Sequence, residues 1–156
     1  MKGASAGNYA LFAGGRAGSF CTTVDAYNAS LTRTTATALS STKNNSAAAT
    51  VGNHAVFVGS PDSADIYDAS LTRTSAAILS TARTGLAATT VGNYAIFSGG
   101  GVADFCDASL TRSSIGTSMT GYDMGAATIG DYALFAGGHS GEKSDTAYDS
   151  VEVYTA

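Results

Sequence analysis

The chain has 156 residues, 13% of them charged and 44% hydrophobic, with a net charge of −4. This length fits one domain, the hydrophobic content argues against disorder, and the acidic balance removes the basic footprint of a nucleic-acid binder. Ala, Thr, Gly and Ser make up more than half of the chain, and no apolar run is long enough to cross a membrane as a helix.

Taken in order, the first residues, Met1 to Asn8, carry one Lys and no apolar leader. This predicts no secretory signal and suits either cytoplasmic synthesis or association with a phage particle. Lys2 to Ala6 forms a stub where a first strand is expected. A phrase then begins that recurs four times: Gly7-Asn8-Tyr9-Ala10-Leu11-Phe12, and again from Gly52, Gly92 and Gly130. A second phrase, Asn28-Ala29-Ser30-Leu31-Thr32-Arg33, recurs from Asp68 and Asp107. A third, Ala/Thr-rich and ending in Val51, Val91 or Ile129, precedes the Gly-Asn or Gly-Asp pair. A period near 40 residues with strand-like content indicates a propeller blade or an array.

Each unit reads as four short strands. The Ala/Thr run is the first, and Gly-Asn or Gly-Asp is a two-residue hairpin turn that tolerates positive φ. The Tyr-Ala-Leu-Phe segment is the second strand, alternating across the pleat. Val24 to Tyr27, Asp65 to Tyr67 and Val151 to Tyr154 are third strands. The fourth run around Leu31 to Ala38, Leu71 to Leu79 and Leu110 to Thr117. The units fall at about 1–42, 43–81, 82–120 and 121–156. The prediction is an all-β chain of four-stranded antiparallel units, with no helical periodicity.

These phrases, with the pairs Gly14-Gly15, Gly99-Gly100 and Gly137-Gly138 and the pairs Val24/Tyr27 and Val151/Tyr154, resemble the kelch repeat. Thr81 to Ala95 looks like the kelch-like repeats of bacterial and phage-encoded proteins. The resemblance covers nearly the whole chain and implies a β-propeller. Two departures stand out: the fourth-strand Trp of the repeat is missing, with Leu31, Leu71 and Leu110 expected to pack in its place, and the second unit has Gly59-Ser60 for its glycine pair. The last unit lacks a fourth strand. Closure is therefore expected from four blades alone, from a cyclic homodimer forming eight blades (the favoured reading), or from a longer propeller of which this is part.

The loops between second and third strands vary most, and loops on a rigid scaffold commonly carry binding. Arg16, Phe20, Asp62, Ser63, Val102, His139, Glu142, Lys143 and Asp145 are the candidate recognition residues. Arg33, Arg73 and Arg112 repeat at one position, which points to a hydrogen bond with the residue's own turn or to pairing with Asp25, Asp65 and Asp104, rather than to an anion-binding ring. His54 replaces Tyr in a regular strand and reads as a packing residue. Cys21 and Cys106 read as free, partly buried thiols.

Phosphate-cradling glycine motifs and the Gly-x-Ser-x-Gly elbow are absent. Kelch-type propellers include a copper oxidase family, but the two His here do not fall at corresponding positions. No metal or other cofactor is expected. The reading is a non-catalytic binding or scaffold propeller that presents its loops to a glycan or protein partner. An assembly protein docking through an open blade edge is the alternative. A polysaccharide-acting hydrolase or lyase is a weaker third, resting on scattered carboxylates such as Asp145 and Glu142.

Overall fold

In a computed structural model, described for residues 1–60, 63–140 and 146–156, the chain is all-β, and no helix occurs among those residues. The strands are β1 (Lys2–Ala6), β2 (Tyr9–Ala13), β3 (Arg16–Ala17), β4 (Ser19–Phe20), β5 (Val24–Asn28), β6 (Arg33–Thr35), β7 (Asn44–Val51), β8 (His54–Ser60), β9 (Ala64–Tyr67), β10 (Arg73–Ala76), β11 (Ala87–Val91), β12 (Tyr94–Gly99), β13 (Val102–Asp107), β14 (Arg112–Gly116), β15 (Gly125–Ile129), β16 (Tyr132–Ala136) and β17 (Val151–Thr155). They pair antiparallel into meanders β1-β2-β5-β6, β7-β8-β9-β10 and β11-β12-β13-β14, and a three-stranded β15-β16-β17. The stub at Lys2–Ala6 is a full strand, paired with β2 in the register Ala6 to Tyr9. β3 and β4 form a small hairpin of their own inside the first variable loop, a feature the repeat pattern does not announce.

The two-residue turns form because Gly7, Gly52, Gly92 and Gly130 all take φ between +52° and +55°, the left-handed region that glycine enters at little steric cost. The second recurrent phrase closes the turn between third and fourth strands. Asn28 Oδ1 accepts from the Ser30 and Thr32 amides at 3.0 and 2.9 Å, and Asp68 and Asp107 do the same. These Asx turns make Asn or Asp the natural opening residue. The next residue but two is left-handed and is a leucine each time: Leu31, Leu71 and Leu110 have φ of 59°, 63° and 64°. The fourth strands therefore start two residues later than the sequence suggests, at Arg33, Arg73 and Arg112.

Alternation along each strand gives every sheet two faces, one toward the sheet before it (its front) and one toward the sheet after it (its back). The back of the first sheet (Leu11, Ala13, Val24, Ala26) packs on the front of the second (Ala55, Phe57, Tyr67). The back of the second (Val51, Val56, Val58, Ile66) packs on the front of the third (Ala95, Phe97, Cys106). The back of the third (Val91, Ile96, Ala103) packs on the front of the fourth (Ala133, Phe135, Tyr154). Segments between sheets plug these joints, with Leu39 in the first, Ile78 and Leu79 in the second, and Met119 and Met124 in the third. The four sheets are not closed into a ring. The leucines expected to replace Trp divide: Leu71 and Leu110 pack against the preceding joints, whereas Leu31 is 80% exposed, having no sheet before it.

Candidate functional site

β2 runs into Gly14 and Gly15, whose positive φ turns the chain outward. The Gly14 amide donates to the Thr23 carbonyl and the Cys21 amide to the Gly15 carbonyl, pinning the loop base. Between these ties, β3 and β4 bring Arg16 against Phe20, the guanidinium carbon 5.6 Å from the ring centroid. That is cation–π range. Arg16 Nε also donates to the Gly18 carbonyl at 3.4 Å, and both side chains remain exposed.

The segments that connect successive sheets rise to the same end of the molecule. One delivers Lys43, which is buried: its Nζ donates to the Ser63 carbonyl at 2.5 Å and lies 3.4 Å from Asp65. Another delivers Leu86, and a third Asp123, whose amide donates to the Gly85 carbonyl at 2.7 Å. Together with Met1, Lys2, Gly15 and Ser46, these residues and the Arg16–Phe20 pair line a pocket of about 320 Å³. A second hollow, of about 230 Å³, follows the inner strands from Lys2 past Ala47, Ala87, Met124 and Ala126. The lining is mixed in charge, with Lys2, Lys43 and Arg16 as well as Asp123. His139 is held by paired amide bonds with Tyr122 and places Nε2 3.3 Å from Asp123 Oδ2.

Of the residues picked from sequence, Arg16 and Phe20 line this pocket directly. His139 reaches it through Asp123, and Ser63 through the Lys43 ammonium. Val102 does not reach it: it opens β13, paired with Gly99 and Gly116. Asp62, Glu142, Lys143 and Asp145 lie outside the described residues. Sequence reasoning missed Lys2, Lys43 and Leu86, whereas Asp123 is one of the scattered carboxylates it noted. A signal for Lys43 exists, since it follows Ser40 by three residues as Arg83 follows Ser80.

Asp65 and Asp104 are completely buried. Each accepts from the serine of the connecting segment before it: Asp65 from the Ser40 amide and hydroxyl at 3.1 and 3.0 Å, Asp104 from those of Ser80 at 3.0 and 3.2 Å. Lys43 and Arg83 bring the opposite charge. The repeated arginines pair as their period suggested, Arg33 with Asp25 at 2.8 Å, Arg73 with Asp65 at 3.8 Å and Arg112 with Asp104 at 3.7 Å. These carboxylates are structural, tied on several sides inside a joint. His54 is half-buried in β8, and Cys21 and Cys106 are unbridged. Among the described residues, no three His, Cys, Asp or Glu side chains converge as a metal site would. Compared with known proteins, the chain matches no protein-family model and no curated protein.

Proposed function

We propose that the chain is a non-catalytic binding module of kelch-like repeats, whose ligand face is the loop-bearing end around Arg16 and Phe20. The observation that carries this reading is the pocket of about 320 Å³ at that end, which a variable loop and three inter-sheet segments build together. That volume falls at the lower end of what small-molecule sites occupy. Lys2 and the free edge of the Arg16 guanidinium suit a carboxylate or several hydroxyls, and Phe20 offers an apolar face for a ring. This chemistry favours a glycan, an acidic one first, with an extended protein loop as the other ligand class. The Asp123–His139 pair is a loop tie in this reading.

A glycan array containing uronic and sialic acids tests the proposal. Binding is expected, and Arg16→Ala or Phe20→Ala should weaken it at least tenfold without changing the β circular dichroism. Silence on the array and in a protein pull-down, or binding that ignores both substitutions, would sink it. The assembly reading rests on β17, whose outer edge carries no partner strand among the described residues. Such an edge is a template for strand addition.

A further inference from the structure

The inner joints are built from equivalent repeat positions, so each face has a known counterpart. Leu11, Val56 and Ile96 occupy one position on the backs of the first three sheets, and all are fully buried by the next sheet. The fourth sheet repeats this back with Leu134, Ile129, Val151 and Val153, yet none of the described residues forms a sheet over it: Ile129 is 69% exposed, and Val151 and Val153 are more than half exposed. The face carries no charged side chain. At the other end, the front of the first sheet holds Phe12 and Tyr27 in an edge-to-face contact at 6.0 Å. Phe57 with Tyr67 and Phe135 with Tyr154 make the same contact, buried against a preceding sheet. Phe12 is instead 41% exposed.

Three smaller features recur along the joints, the first at all three and the other two at two of them, and all stop at these two faces. In each joint the turn glycine sits under an alanine of the following sheet: a Cβ on Gly7, Gly52 or Gly92 would come within 2.6, 3.3 or 2.7 Å of the Cβ of Ala69, Ala108 or Ala156. A Cβ on Gly130, the fourth of the series, would meet no described residue beyond its chain neighbours within 4 Å, and Ala29, the alanine of the first sheet, is exposed. Leu71 and Leu110 reach back into the preceding joint, while Leu31 lies open. Finally, Thr128 Oγ1 donates to the Thr90 carbonyl and Thr90 Oγ1 to the Thr50 carbonyl. Ser5 holds the equivalent place in β1 and is exposed.

We infer that a second copy of this chain supplies the missing half: the front of the first sheet of one copy covers the back of the fourth sheet of the other, head to tail, and two such joints close a cyclic pair. The occupant is identified by the chain's own pattern. A surface that fits Leu134, Val153 and Gly130 presents an aromatic ring and an alanine, as all three internal joints do, and Phe12, Tyr27, Ala29 and Leu31 hold those places together with the second ring and the leucine that two of the three joints each add. The three internal joints show the two kinds of face fitting together. Cyclic pairs are the commonest closed assemblies, although this one uses two different faces twice. The inference is independent of the ligand proposed for the loop end.

Light scattering on a sizing column tests it. The expected mass is twice the 15.5 kDa of one chain, and Phe12→Lys or Val153→Lys should each reduce it to one chain. Mixing the two variants should restore the two-chain mass, because one of the two joints then keeps both natural faces. Leu31→Asn guards against a folding artefact. It removes an exposed leucine from a left-handed position that Asn accepts more readily, so it should weaken the pair at least tenfold while leaving the single chain folded. A single-chain mass for the natural protein, an unchanged mass in either lysine variant, or no recovery on mixing would overturn the inference.

Discussion

The second and third joints share a strand pattern but are reinforced differently. Between the second and third sheets, buried Asp104 gathers the Ser80 amide and hydroxyl, the Arg83 guanidinium and, more distantly, Arg112. Cys106 occupies the position held by Tyr67 in the sheet before it, so Phe97 makes no ring pair there. Between the third and fourth sheets the position of Asp104 is taken by Glu152. Among the described residues Glu152 Oε2 has no hydrogen-bond partner. Rings do the joining instead, with Tyr154 edge-on to both Phe105 and Phe135 at 5.4 and 5.7 Å. The first joint has both devices, Asp65 with Ser40 and Lys43, and Phe57 with Tyr67. The glycine–alanine seat and the apolar alternation are thus the common requirement of a joint, and the buried charge cluster and the aromatic pair are alternative ways to strengthen it.

The sharpest way to break this comparison is to remove the charge. Asp104→Ala leaves Arg83, itself nearly buried, without its carboxylate, and should cost about 3–5 kcal/mol in urea unfolding, the usual result of stranding one partner of a buried pair. Glu152→Ala at the aligned position should cost less than about 1 kcal/mol. Equal costs would mean that the two joints do not differ in kind. Next in size, Tyr154→Leu removes two edge-to-face contacts and should lose about 1–3 kcal/mol, each contact contributing roughly 0.5–1.5 kcal/mol.

Smaller effects probe the details. Burial pushes the Cys106 thiol up to about 11, so a thiol reagent at neutral pH should modify Cys21 rapidly and Cys106 only on unfolding. Fast reaction of both would place the second joint open in solution. The smallest effect concerns pH. The Ser70 hydroxyl, followed by the Thr72 and Ser70 amides, holds the Asp68 carboxyl below its ordinary value of 3.8. A lowered folded-state value adds stability that is present above pH 3.8 and lost as pH falls through the folded value. Asp68→Asn, the residue found naturally at position 28, should keep the turn and flatten that part of the acid-unfolding profile. An unchanged profile would show that this carboxylate has no part in it.

Much of the architecture is legible in the residues themselves. The Gly-Asn turns, the alternating strands and the Asx turns at Asn28, Asp68 and Asp107 all express local backbone preferences, which recur wherever their phrases recur. Leu31 was harder to place, because a leucine with positive φ contradicts its own propensity. It is tolerated at Leu71 and Leu110, where the side chain gains contacts with a neighbouring sheet. The pocket was half legible. Arg16 and Phe20 stand out in a divergent loop, but Lys43, Leu86 and Asp123 sit in connecting segments whose convergence depends on how four sheets stack. Stacking depends on long-range contacts that no local phrase encodes, and the same holds for ring closure.

Amide hydrogen exchange, resolved strand by strand, tests most directly the claim that repeated sheets are held by joints of unequal strength. The account predicts the greatest protection in β8, β9, β12 and β13, whose sheets are tied by buried Asp65 and Asp104, and the earliest opening in β15 to β17, where Glu152 replaces that aspartate. Uniform protection across the four sheets, or a fourth sheet that outlasts the second, would contradict it.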